Sequence, residues 1–359
     1  MAAVRGGTVS EGGAGIGEPA VDSPACLQPA GAQFRPVDRS ALRRLHGDRF
    51  AVHSPGMTET TLFDGGPTFS RIVFGTWRLL DDAIAATPDG TLALLKTALD
   101  CGIHTVDTAE IYGGYAVEAL LGEALRRDPG VKSRVRLVTK CGIYVPCPAA
   151  PDRRVAHYDA TADRIVASAE KSLRLLGVET LDLLLVHRPD WFTAAEDTAA
   201  GLNRLLKEGK IRAAGVSNYT PSQFSALQSF MDRPLVTNQV EFSLFATAPI
   251  FDGTLDQCQE RRIQPMAWSP TGGGRLFDSA DATALRLKAA AASLTGIPAG
   301  TPPDRLAHAW ILAHPSRPLS VLGTTKADRI RSAAAAAELS LSREDWYALT
   351  EAARGARIP

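Results

Sequence analysis

The chain has 359 residues, 45% hydrophobic and 22% charged, with 39 basic and 39 acidic side chains and a pI near 7.1. That balance offers no basic face for nucleic acid and no polybasic anchor, and no apolar run reaches the ~18 residues a bilayer span needs. The cysteines Cys26, Cys101, Cys141, Cys147 and Cys258 are scattered, with no CxxC pair, which argues against a disulfide framework or a zinc site and for reduced thiols in a cytoplasmic protein.

Residues 1–56 are rich in Gly, Ala, Pro and Ser and lack apolar periodicity, so they read as a disordered extension. Met57 offers a second candidate start, in which case the extension is an artefact of the gene start. Arg43-Arg44 precedes Leu-His-Gly-Asp instead of an apolar stretch, so it is neither a secretory nor a twin-arginine signal. Removing residues 1–56 is expected to leave melting temperature and activity unaltered, because the segment has little to bury. A large fall in either on truncation would mean that the extension packs on the remainder.

From residue 57 onward a single domain is expected. A β-rich run at 71–74 ends on Gly75-Thr76-Trp77, and helical spacing follows over 91–101. A strand at 104–107 closes on Asp107, followed by Tyr112, two glycines and a helix at 117–126. Further strands are expected at 135–140, 181–187, 211–217, 237–241, 264–268 and 319–322. Helices are expected at 162–176, 194–208, 221–231, 252–262, 283–295, 303–313, 326–338 and 343–353. Thr220-Pro221 and Ser342 mark two of the starts.

Eight strands, each followed by a helix, in roughly 290 residues predict a (β/α)8 TIM barrel. The run 181–186 is apolar without alternation, as a parallel strand covered on both sides requires. An open doubly wound sheet would want GxGxxG after the first strand, and Phe74-Gly75-Thr76-Trp77-Arg78 lacks it.

Barrel enzymes place their chemistry at the carboxyl ends of strands. Read in order, those ends carry Trp77, then Asp107 and Tyr112, Lys140, His187, Ser217-Asn218, Gln239 and Glu241, and Trp268-Ser269. A Tyr is a poor acid at neutral pH, with a reference pKa near ~10. A neighbouring cation makes it a better proton donor. Asp107 is expected to pair with Lys140, Lys140 to lower the Tyr112 pKa, and His187 to hydrogen-bond a substrate carbonyl. Such a site polarises C=O and protonates its oxygen; the hydride must come from a nicotinamide. A rival hydrolase or lyase reading uses Asp107 and Glu110 as paired carboxylates and leaves Lys140 and His187 without a part.

Asp107, Tyr112, Lys140 and His187, in this order, resemble the catalytic tetrad of the aldo-keto reductase superfamily. The resemblance extends to Gly75-Thr76-Trp77, DTAEIYGG at 107–114, GVSNY at 215–219 and VLGTTKADRI at 321–330. CGI at 141–143, HRPD at 187–190 and GGGRLF at 272–277 bring it near a bacterial oxidoreductase subgroup. It covers roughly residues 68–358. It implies NADP(H) and a small-molecule aldehyde or ketone, with Tyr112 as general acid tuned by Lys140 and Asp107. It assigns Ser217, Asn218 and Gln239 to the nicotinamide carboxamide and Trp268, in place of the usual Tyr, to ring stacking. Ser269 and the backbone of Gly272, Gly273, Gly274 and Arg275 would hold the pyrophosphate. Gly323, Thr324, Lys326 and Arg329 would hold the adenosine ribose and its 2′-phosphate, with Lys326 and Arg329 on one helix face. Ser332 and Ala333 replace a Glu-Asn pair that often contacts adenine. Trp77, Trp191 and Phe277 are candidates for the substrate pocket and equally for loop packing. A monomer or weak homo-oligomer is expected. Some superfamily members serve as cofactor-sensing regulatory subunits, which leaves an NADP(H)-binding sensor as the alternative function.

Overall fold

The computed structural model describes residues 58–148 and 151–358; the extension expected over 1–56 lies outside them. Eight strands form one closed barrel: β1 (Ile72–Gly75), β2 (Thr105–Asp107), β3 (Arg136–Cys141), β4 (Leu183–Val186), β5 (Ala214–Ser217), β6 (Asn238–Glu241), β7 (Met266–Trp268) and β8 (Leu319–Leu322). Each pairs in parallel with its neighbours in chain order, and β8 closes on β1.

The outer ring holds α1 (Pro88–Asp100), α2 (Val117–Arg127), α3 (Ala162–Leu176), α4 (Ala195–Lys207), α5 (Pro221–Gln228), α6 (Thr254–Arg261), α7 (Pro303–Leu312) and α8 (Ala327–Ala334). Helices Ala282–Ala291 and Arg343–Arg354 pack beside it. Among the described residues no helix is long and apolar enough to cross a membrane.

The period-two geometry of a strand explains the run of leucines in β4. Leu183 and Leu185 point into the barrel with Val73, Val138, Met266 and Val321, while Leu184 and Val186 point out beneath the helices. Both faces are dry, so both are apolar. The same alternation decides the site. Val138 points inward, so Lys140, two residues on, does too; Val106 and Val216 point outward, so Asp107 and Ser217 point inward.

Local chemistry fixes the helix starts. Thr220 and Gln223 form a reciprocal capping box with Pro221 in the first turn. Thr87 accepts from Gly90 N ahead of Pro88, and Ser342 accepts from Asp345 N. Several expected elements are shorter in the structure. The segment 326–338 divides into α8 and a 3₁₀ turn, Ala335–Glu338, and Lys326 is the residue before the helix. An antiparallel hairpin, Glu59–Thr61 with Thr68–Ser70, was not expected; its Phe69 and Leu62 join the inward-facing strand residues. Ser70 and Thr105 exchange backbone-to-hydroxyl hydrogen bonds of 2.8 and 3.0 Å, which ties the hairpin to β2.

Candidate active site

Register brings the strand ends together. Gly75 pairs with Asp107, and Ser217 with Gln239. At their centre lies Lys140, 1% exposed. Its Nζ donates to Asp107 Oδ2 at 2.6 Å, to Thr108 O at 2.9 Å and to Tyr112 Oη at 3.0 Å. Three acceptors match the three N–H donors of an ammonium. A buried charge costs free energy unless it is paired and hydrogen-bonded, and here both conditions are met. Asp107 Oδ1 accepts from Gln239 Nε2 at 2.8 Å, and Thr76 N and Oγ1 donate to Asp107 O at 2.9 and 3.1 Å.

The Tyr112 ring is buried with its edge on Trp77, centroids 4.9 Å apart, and on His187 at 5.9 Å. The turn behind it runs through Gly113 and Gly114 at φ 57° and 63°, a left-handed region that glycine enters at little cost. Burial raises the Tyr112 pKa above its ordinary value, and Lys140 pulls the other way. Lys140 exerts the expected downward pull, and desolvation, the larger effect, leaves the net shift upward. For Lys140 itself burial opposes the charge, yet Asp107 and Tyr112 hold its pKa above the ordinary lysine value.

His187 follows β4, its backbone N–H donating to Cys141 O at 2.9 Å. Burial, with Lys140 and Arg188 nearby, holds its pKa well below 6.5, so the imidazole is neutral at pH 7. Its Nδ1 is buried without a hydrogen-bond partner.

A second network lies on the opposite wall. Trp268 Nε1 donates to Asn218 Oδ1 at 3.1 Å, Asn218 Nδ2 to Ser217 Oγ at 2.8 Å, and Ser217 Oγ to Gln239 O at 2.8 Å. Asn218 and Ser269 take φ values of 61° and 55°. Asn tolerates this region; Ser269 sits there at some cost in strain.

Beyond it a narrow cleft of about 20 Å³ runs between Thr271 and Phe277 on one side and Gly323, Thr324 and Arg329 on the other. Gly273, Gly274 and Gly323 have open space where a Cβ would stand. Gly272 differs, since a Cβ there would meet the Phe245 ring at 2.5 Å. The Arg329 guanidinium lies 3.9 Å from the Phe277 ring centroid. Arg275 is held by Asp281 at 2.8 Å.

Several of the residues singled out by the sequence also make contacts inside the protein. Thr76 is fully buried and holds the Asp107 backbone; at Gly75 a Cβ would lie 2.6 Å from Leu322 O, so that glycine serves strand packing. Gln239 donates to Asp107 here. Lys326 precedes α8 and does not share its face with Arg329 as a helical pair. Of the three pocket candidates, Trp77 is against Tyr112, while Trp191 is 82% exposed and meets Tyr158 edge-on at 5.8 Å. Thr108 carries no sequence signal as a partner of Lys140, because its part is played by a backbone carbonyl.

The model of the Aldo/keto reductase family matches residues 71–354. This chain belongs to the aldo/keto reductase family. It is therefore an oxidoreductase by kinship as well as a barrel by construction. Among curated relatives, this aldo/keto reductase is 45% identical over 289 residues to 6-dehydroglucose reductase of Agrobacterium fabrum, covering 80% of this chain and 96% of that one. It is 42% identical over 299 residues to Oxidoreductase YdhF of Escherichia coli, covering 83% and 98%. A solved aldo/keto reductase from Klebsiella pneumoniae, in complex with NADP and acetate, superposes with a TM-score of 0.64 at 28% identity, over 81% of this chain and 93% of that one.

Proposed function

We propose that the chain reduces an aldehyde or ketone to the alcohol with NADPH, Tyr112 giving the proton. The observation that carries this reading is the buried Lys140 in contact with both Asp107 and the Tyr112 hydroxyl. The residues fit a dinucleotide. Three glycines leave cradles where backbone can approach phosphate, and Thr324 and Arg329 supply donors at the far end of the cleft. A bound dihydronicotinamide supplies hydride, which no side chain can.

The chain's own residues do the rest. The N–H of neutral His187 donates to the substrate oxygen. Tyr112 Oη transfers its proton to that oxygen as negative charge develops there. Lys140 stabilises the phenolate left behind, and Asp107 keeps Lys140 charged and in place. Paired-carboxylate chemistry finds no support: Asp107 is committed to Lys140 inside the barrel, and Glu110 pairs with Lys171 on α3 at 3.3 Å.

The test is a panel of aldehydes and ketones with NADPH consumption as readout. It should include 6-dehydroglucose, because the Agrobacterium relative is named for it and Trp77 offers an exposed aromatic face for a sugar ring. Turnover supports the enzyme; tight NADPH binding without turnover of any carbonyl supports a sensor. The cofactor is tested with Arg329→Ala. A hydrogen bond to a charged group is worth about 1.5–3 kcal/mol, so NADPH affinity is expected to fall at least about tenfold while NADH affinity holds. Stacking on Phe277 leaves the in-plane N–H edge of Arg329 suited to a phosphate. Equal losses for the two cofactors in a fluorescence titration would remove the 2′-phosphate assignment.

A further inference from the structure

Lys326 is one of the two cations assigned to the 2′-phosphate, and it already holds an anion. Its Nζ donates to Asp82 Oδ2 at 2.8 Å. Because β8 lies beside β1, the loops following these strands converge, and Asp82 comes from the loop after β1. Thr325 Oγ1 lies 3.4 Å from the same carboxylate oxygen.

Asp82 is more than a mobile surface acid. Its Oδ1 accepts from Ile84 N at 3.0 Å and Ala85 N at 3.1 Å, an Asx turn ahead of α1. The hydrogen bond from Lys326, then those from Ala85 and Ile84, lower its pKa to about 2, so it is charged at any working pH. The carboxylate is thus pinned in position. A groove of about 260 Å³ between α1 and Thr325, Lys326 and Ala327 opens beside the pair.

We infer that Asp82 sets the cofactor preference of this site, as a fixed anion on Lys326 that weakens NADPH binding relative to NADH. The inference rests on the NADP(H) reading above. A phosphomonoester reaching Lys326 must either displace Asp82 from it or share its ammonium with a second anion a few ångströms away. The first route gives up an existing ion pair, and the second sets like charges side by side. NADH, with a hydroxyl at that position, meets neither. Asp82 therefore subtracts from the preference that Lys326 and Arg329 together would otherwise give.

The test uses Asp82→Asn. An Asn side-chain oxygen can still accept from Ile84 and Ala85, so the turn survives while the charge is lost. NADPH and NADH are titrated into parent, Asp82→Asn, Lys326→Ala and Arg329→Ala by fluorescence, at low and high salt. Asp82→Asn is expected to bind NADPH about three- to tenfold tighter with NADH within twofold, and the gain should shrink with salt as a charge effect does. Lys326→Ala, which leaves the carboxylate alone beside the phosphate, is expected to weaken NADPH and spare NADH. Unchanged or weaker NADPH binding by Asp82→Asn, or an equal change for both cofactors, overturns the inference. If Arg329→Ala is selective for NADPH while Asp82→Asn does nothing, the NADP(H) reading stands and the role of Asp82 falls. If neither variant distinguishes the cofactors, both fall.

Discussion

Tyr112→Phe is expected to lower carbonyl reduction by about 10²–10⁴-fold with NADPH affinity unchanged, the usual worth of a positioned general acid. The substitution removes one atom. The ring keeps its edge contacts with Trp77 and His187, and Lys140 keeps Asp107 and Thr108 O, so the surroundings have no cause to collapse. What goes is the hydroxyl to which Lys140 donates. The pH profile adds a second check. Reduction needs the protonated phenol, and burial raises the Tyr112 pKa above its ordinary value. An acid so shifted stays protonated as pH rises, so the parent's reduction rate should hold through neutral and mildly alkaline pH. His187, with its pKa held well below 6.5, should add no break between neutrality and that region. A Phe variant within a few-fold of the parent rate would assign the proton to another group.

The barrel was legible because its signals are local. Leu183 to Val186 are apolar on both faces, and Thr220-Pro221 marks a helix start within two residues. The 15-residue α3 keeps the bounds its periodicity implied. The hairpin at 59–70 escaped because each strand has three residues, too few for a period to declare itself. The meeting of Asp107 with Lys140 was legible for a different reason: parity along a strand decides which side chains point inward, and strand ends decide which of those meet. Two features lay outside such reasoning. The direction of the Tyr112 shift is a contest between burial and a cation, and no sequence weighs one against the other. The Asp82–Lys326 pair joins residues far apart in sequence, brought together only when β8 closes on β1.

Lys140→Met is expected to cost both activity and stability, and the two losses can be separated. Methionine fills much of the volume but carries no charge. Tyr112 then loses the cation that both hydrogen-bonds it and opposes the effect of its burial, so it becomes a still weaker acid, and the phenolate formed in the transition state loses its counter-ion. Reduction is expected to fall about 10³-fold or more, general-acid and electrostatic contributions being lost together. Asp107, 2% exposed, keeps Gln239 but no cation. Breaking a buried pair by removing one partner costs about 3–5 kcal/mol. At about 1.5–2 °C per kcal/mol for a domain of this size, calorimetry should record a melting temperature lower by roughly 5–10 °C. Asp107→Asn alone should lower activity in the same direction and by less, since Lys140 still reaches Tyr112 and Thr108. Combining Asp107→Asn with Lys140→Met removes the stranded carboxylate, so the double variant should recover most of the lost melting temperature and none of the activity. Recovery of turnover along with stability would mean that Lys140 supports the fold and leaves Tyr112 to act alone.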